Sequence, residues 1–404
     1  MASIRVYITP FDVNGTYAAE QEVTSRVITL GRIELDTDSA EFQVGVYRVA
    51  NMKLELSNRD GKFSDVDVEQ SIFRYKRADA KVRITWLDDV EFAYCGTAIC
   101  GEAHLGDEVE IFRGLLNDDA FALDARQEKA VFNVLGYQTL FERVEIPFAS
   151  ISVADAVSVT LYKILNQTVI TNYLTVSQVN IVPGLDQVPD SIADLETLSV
   201  KEALDILLRD SNSVLFIKNN IVYVNDRSAT ASVQYTFYGQ ASQEGPENIA
   251  DIQNIRNGMH RVFNYWNWED TTVKASDSNS VLLNGFRKKI VGSSLFTNGT
   301  KQLNFINDLL ASFKDPKMEL ELTADLNYNT LGLDLLDRVN IDYPTVFVPV
   351  EHFPLPICGI AVCGEAVLPR GLWNLTISPD TDFKILKKSF DPTKNTVTFK
   401  LREI

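Results

Sequence analysis

The sequence predicts a mainly β chain in which two related β-domains flank an α/β insert, and three observations carry that reading. The length of 404 residues corresponds to two or three domains at about 150 residues each. Short alternating apolar and polar runs, broken by turn residues, dominate both ends. A nine-residue motif holding all four cysteines occurs twice, 263 residues apart. With 45% apolar and 23% charged residues, the chain is also neither fibrous nor intrinsically disordered.

The first elements read as strands. Ile4 to Ile8 ends at Pro10, and Met52 to Leu56 alternates before the turn Asn58-Arg59-Asp60-Gly61. Val82 to Trp86 repeats the pattern and stops at Asp88-Asp89; Val109 to Gly114 and Ala130 to Leu135 follow. About six short strands with regular turn punctuation predict a barrel or sandwich over residues 1–145.

The period changes after Pro147. Ser152 to Asp155 reads as a capping box with Asp in place of the usual Glu or Gln, and Val157, Leu161, Ile164 and Leu165 then share one helical face. Ser199-Val200-Lys201-Glu202 is a full box ahead of Ala203, Leu204, Leu207 and Leu208. Val214 to Ile217, the Asn219-Asn220 turn and Ile221 to Val224 form a hairpin signal. Residues 146–226 are the predicted insert.

Strand patterning returns in 227–404, the predicted second β-domain with its linking strands. Val262, Asn264, Trp266 and Trp268 share one face; two tryptophans so placed fit a core or a subunit interface better than a sugar platform. Leu303, Ile306, Leu310 and Phe313 predict a helix over 300–314 that Pro316 terminates. Leu320 to Leu322, Val339 to Ile341, Trp373 to Ile377, and a hairpin about Asp391 to Asn395 complete the pattern, with a last strand from Thr396 to Arg402.

Cys95-Gly-Thr-Ala-Ile-Cys100-Gly-Glu-Ala matches Cys358-Gly-Ile-Ala-Val-Cys363-Gly-Glu-Ala at seven of nine positions. A similar strand precedes each copy, Lys81 to Trp86 and Arg338 to Tyr343, which marks a duplicated domain. Three chemistries fit Cys95, Cys100, Cys358 and Cys363: buried free thiols, a metal or iron–sulfur site, or one local disulfide within each pair. Duplicated domains side by side hold equivalent points about a domain diameter apart, which argues against a single four-thiolate site.

The net charge of −17 repels phosphate backbones and excludes sequence-independent nucleic-acid binding. The histidines, His104, His260 and His352, are too scattered for a His-rich centre. No metalloprotease, hydrolase-elbow, phosphate-loop or dinucleotide motif occurs, so no catalytic or cofactor residue is assigned and an enzyme is not expected. Asn58 to Asp65 imitates a calcium loop out of register, because Leu56 stands where the first acidic ligand belongs. Asp118-Asp119 reads as a solvated turn. Residues 1–15 lack a basic segment followed by an apolar run, and no transmembrane-length apolar window occurs, so synthesis and folding in the cytoplasm are expected.

From Lys53 to Ile404 the ordered pieces resemble the tail-hub (baseplate hub) proteins of tailed bacteriophages and phage-like particles. Leu54 to Ser64 is similar to the strand and N-x-D-G-x-F turn of their first barrel, and Phe112-Arg113-Gly114-Leu115 to the following F-x-G strand. The helix Val200 to Leu208 with its hairpin through Tyr223-Val224 resembles their insert domain. Asn264, Asp277 to Ser280, Gly285-Phe286-Arg287, Lys314 to Lys317 and Leu336 to Val339 follow in the order of their second half, with Leu336-Asp337 where Gly-Asp is commoner. The resemblance implies a homotrimer whose two barrels per chain form a pseudo-sixfold ring. It further implies a virion location at the tail tip, and as partners a distal tail ring or tail tube, a tape measure protein, and a fibre or spike. The negative charge would then suit a lumen that passes DNA without holding it. A distal tail or receptor-binding protein is the alternative, and a tail-associated cell-wall hydrolase a remote second.

Overall fold

The computed structural model describes residues 3–36, 50–64, 67–87, 108–124, 126–227, 232–239, 247–256, 259–269, 271–293, 295–343, 377, 381–392 and 394–404. The N-terminal third supplies β1 (Ser3–Thr9), β2 (Gln21–Glu22), β3 (Val27–Leu30), β4 (Ile33–Asp36), β5 (Asn51–Ser57), β6 (Lys81–Leu87), β7 (Glu108–Asp124) and β8 (Lys129–Gly136). All but β4 form an antiparallel sheet in the order β2-β1-β6-β7-β8-β5-β3. Strict alternation drives it: every second residue of β8 is buried, Ala130, Phe132 and Val134 among them.

The middle of the chain supplies α1 (Val157–Leu165), α2 (Thr168–Thr171), β9 (Ile181–Val182), α3 (Val200–Asp210), β10 (Ser213–Lys218) and β11 (Ile221–Asp226). Then come β12 (Val233–Tyr238), β13 (Ile249–Arg256), β14 (Tyr265–Trp268), β15 (Lys274–Ser276), α4 (Ser278–Asn284), β16 (Lys288–Val291) and α5 (Gly299–Phe313). The chain finishes with β17 (Glu319–Asp325), α6 (Tyr328–Gly332), β18 (Arg338–Asp342), β19 (Asp382–Asp391) and β20 (Thr396–Glu403). A second large sheet runs β12-β18-β19-β20-β17-β13, with β4 pairing to β19.

The two large sheets repeat one topology. The strands β3, β5, β6, β7 and β8 occupy the same successive places in the first sheet as β13, β17, β18, β19 and β20 do in the second. The duplication inferred from the cysteine motif therefore extends to the strand order, and the two motifs fall in equivalent connections, β6 to β7 and β18 to β19. A sixth strand departs from the repeat: β1 runs antiparallel to β6, whereas β12 runs parallel to β18.

Both sheets curl. In the first, the edge strands β2 and β3 are consecutive in the chain, separated only by Val23 and a 3-10 turn, so the sheet bends back towards itself. In the second, the edge strands β12 and β13 are again consecutive, and Asn248 links them by donating its N–H to the Tyr238 carbonyl while its side chain accepts from the Tyr238 N–H. The fold is mainly β.

One apolar core joins the two large sheets. Leu54, Phe132 and Trp86 of the first belong to the same buried cluster as Phe237, Phe399 and Leu401 of the second. A second core gathers α1, α3, the β10–β11 hairpin, the small sheet β15-β14-β16 and α5. The helix expected at 300–314 thus packs with the α/β elements.

Several local expectations change. The Ser152 to Asp155 turn forms, but α1 starts later, behind Ala156, and its first turn is satisfied from a distance by Asp186, which accepts from the N–H of Ser158 at 2.8 Å. The buried face of α5 is Gln302, Phe305, Ile306, Leu309 and Phe313, so Leu303 is exposed, because the flanking sheet meets a different side of the helix. Of the strand expected at Trp373 to Ile377, only Ile377 lies within the described residues, where it bridges Tyr343.

Candidate assembly surfaces

Cys95, Cys100, Cys358, Cys363, His104, His352 and the Asp88-Asp89 pair lie outside the described residues. Among the described residues no three His, Cys, Asp or Glu side chains converge as a metal-binding group. His260 lies 3.7 Å from Glu319, a buried carboxylate already held by Arg261 at 2.9 Å.

The Asn58 turn is structural. The Asn58 side chain accepts from the Phe63 N–H at 2.7 Å, Gly61 takes φ +73°, and Asp60 forms a bidentate pair with Arg26. An acid committed to a guanidinium is poorly placed to ligate a cation. Asp118 is likewise paired, with Arg77. Trp266 and Trp268 are core residues, and the Trp266 indole donates to the Phe263 carbonyl at 2.8 Å.

What the residues do build is a set of rigid junctions. At the first, Lys81 Nζ lies 4.1 Å from the Tyr17 ring and 4.9 Å from that of Tyr173, while the two tyrosine hydroxyls meet at 2.9 Å. This cation–π box ties the first sheet to the α/β elements. Burial lowers the Lys81 pKa and, together with the Tyr173 hydroxyl, raises that of Tyr17.

At the second junction β4 leaves the first sheet and pairs antiparallel with β19 from Ile33↔Phe390 to Asp36↔Lys387. Lys387 meets Glu34 at 3.0 Å, and Ile33 is buried in the shared core. The third surrounds a cavity of about 500 Å³ between β7, the β10–β11 turn and α6. Lys218 reaches across it to Asp334 at 2.6 Å, and Lys388 is buried in its wall.

Leu336 has φ +70°, a left-handed conformation that favours glycine. Its N–H is held by the Ile385 carbonyl at 2.8 Å, immediately before β18.

Outward, α4, β16 and the turn between them present apolar side chains left largely exposed among the described residues: Leu282 is 83% exposed, Leu283 79%, Phe286 62% and Ile290 54%. Sequence patterning missed this face, since α4 is short and its neighbour has no alternation of its own; the signal present was the adjacent pair Leu282-Leu283 beside a run of cations.

No family model matches the chain, and no curated protein does. Solved structures do. The 43 kDa tail protein of prophage MuSo2 from Shewanella oneidensis aligns with TM-score 0.53 at 11% identity, covering 99% of this chain and 96% of that one. The tail protein from Neisseria meningitidis MC58 aligns with TM-score 0.53 at 11% identity over 100% and 96%. Prophage tail protein gp18 from Listeria monocytogenes EGD-e aligns with TM-score 0.50 at 10% identity over 99% and 94%. At such identity the likeness is one of fold, and it runs the length of each chain: the structural neighbours of this protein are phage tail proteins, and it has their fold.

Proposed function

We propose that this chain is a structural, non-enzymatic protein of a phage-like tail, and within that role the tail hub. The observation that carries the reading is the repeated five-strand order of the two large sheets on one shared core. Three such chains would offer six near-equivalent β-surfaces to a sixfold tube or distal tail ring, and a threefold face to a fibre or spike. Two curled sheets fused rigidly suit that task better than two hinged ones, since ring geometry depends on a fixed angle between copies. The tail-fold likeness supports the coarser part of this reading, and the charge of −17 suits a channel that passes DNA.

Native mass spectrometry tests it. A mass of three chains is expected, and six chains would favour the distal tail alternative. Threefold symmetry with a sixfold-like outer ring in electron micrographs is the second expected result; a positive electrostatic lining in that ring would sink the channel assignment.

A further inference from the structure

The α4–β16 face combines three properties that together point to a macromolecular partner. It is apolar, through Leu282, Leu283, Phe286 and Ile290. It is basic: Arg287 and Lys288 lie between Phe286 and Ile290, while the one acid of residues 274–290, Asp277, is neutralised by Lys314 at 3.0 Å. It is also a sheet edge among the described residues, where β16 pairs only with β14, in parallel. Arg287 and Val291 carbonyls accept from β14 and the residue following it, which by the alternation of a parallel ladder leaves the main-chain groups of Lys288 and Ile290 directed away from the sheet.

The complement lies on the same chain. Residues 178–197 carry Asp186, Asp190, Asp194 and Glu196 and no Lys or Arg. Asp190 is spent on Lys301, but Asp194 and Glu196 are exposed. Val179, at 79% exposure, and Val182, at 58%, stand in the same stretch, and β9 is the outer strand of its own sheet. We propose that the basic, apolar α4–β16 face of one copy docks on the acidic, apolar 178–197 face of a second copy of this chain, head to tail.

Two different faces meeting in this way generate a ring when the rotation closes. The proposal rests on the ring reading given above and supplies its contact. Apolar side chains provide the affinity at such a contact, and the opposed charges set partner orientation.

Sedimentation equilibrium on the full chain decides it. Leu283→Asp combined with Phe286→Asp should raise the dissociation constant of the trimer about tenfold or more, with the circular dichroism spectrum of the subunit unchanged because both side chains are largely exposed. Lys288→Glu should weaken assembly, and Lys288→Glu together with Glu196→Lys should restore it. Variants that assemble like the parent would overturn this contact while leaving the trimer standing. A paired charge swap that fails to restore assembly would overturn the 178–197 assignment. A parent chain that stays monomeric at every concentration would overturn both the contact and the hub reading.

Discussion

Lys388 Nζ donates to the Leu333 carbonyl oxygen at 2.7 Å and also to that of Leu331, joining β19 to the end of α6 and the residue that follows it. A neutral amine has two N–H groups, enough for both acceptors, whereas the ammonium brings a third donor and a charge into the core. Burial accordingly lowers the pKa to about 8, against the opposing attraction of Asp334. Lys384, also buried, is lowered to about 8 as well.

Stability should therefore rise with alkalinity. Between about 8 and the ordinary lysine value of 10.5 the unfolded chain holds protons that the folded chain has released, so folding gains as pH rises through that window. Each lysine contributes a slope of at most about 1.4 kcal/mol per pH unit. Urea midpoints across this range should increase, and Lys388→Met should lose roughly half of the increase because Lys384 remains. A flat profile in the parent would show that neither Lys388 nor Lys384 is desolvated on folding.

Ile33 is 2% exposed and sits where β4 crosses to the second sheet. Ile33→Ala should cost about 2–5 kcal/mol. Because one core serves both sheets, hydrogen-exchange protection in β8 and β20 should fall together. Loss confined to either sheet would mean that the two unfold independently.

Gly114 stands in β7 between two partner strands, opposite Val82 of β6 and Gly136 of β8. A Cβ there would lie 2.4 Å from the Leu135 carbonyl oxygen, a backbone atom that cannot turn aside. Gly114→Ala should destabilise by about 1–3 kcal/mol or more by prising β7 from β8. This also gives the glycine of the Phe112-Arg113-Gly114 segment its physical reason. A thermal midpoint equal to that of the parent would contradict it.

Leu336→Gly is the opposite case. A half-buried leucine replaced by glycine ordinarily loses packing and adds unfolded-state entropy. Here the strain relieved at φ +70°, about 1–2 kcal/mol, offsets most of that loss. The variant should stay within about 1 kcal/mol of the parent in urea unfolding; a loss well beyond that would show that Leu336 is held by packing alone.

What the sequence displayed was local. The Ser199 box forms as read, with Glu202 returning to the Ser199 N–H at 2.9 Å, and the Asn219-Asn220 turn has both residues at positive φ, because each depends on neighbours a few positions away. The repeated strand pattern was legible for the same reason: alternation survives wherever one face of a strand is buried. Pairings over distance were not. Nothing in Ile33 to Asp36 distinguishes an edge strand of its own sheet from one lent to another, and the buried face of α5 was set by which sheet lay beneath it. The helix at Val157 shows the limit of local signals, since its cap comes from Asp186. The α4–β16 face escaped notice because its apolar residues serve no intramolecular core.

The crossing of β4 also has a temporal side. Arg32 and Ser389, which meet at this junction, are 357 residues apart. At about 5–20 residues per second of synthesis, β4 would wait roughly 20–70 s for β19. During that interval the nascent chain carries a strand with no partner, and a ribosome that stalls before residue 387 releases a product whose β4 edge stays bare. A chain truncated before residue 387 should therefore offer the β4 edge to chaperones or proteases, whereas a chain that carries β19 covers it.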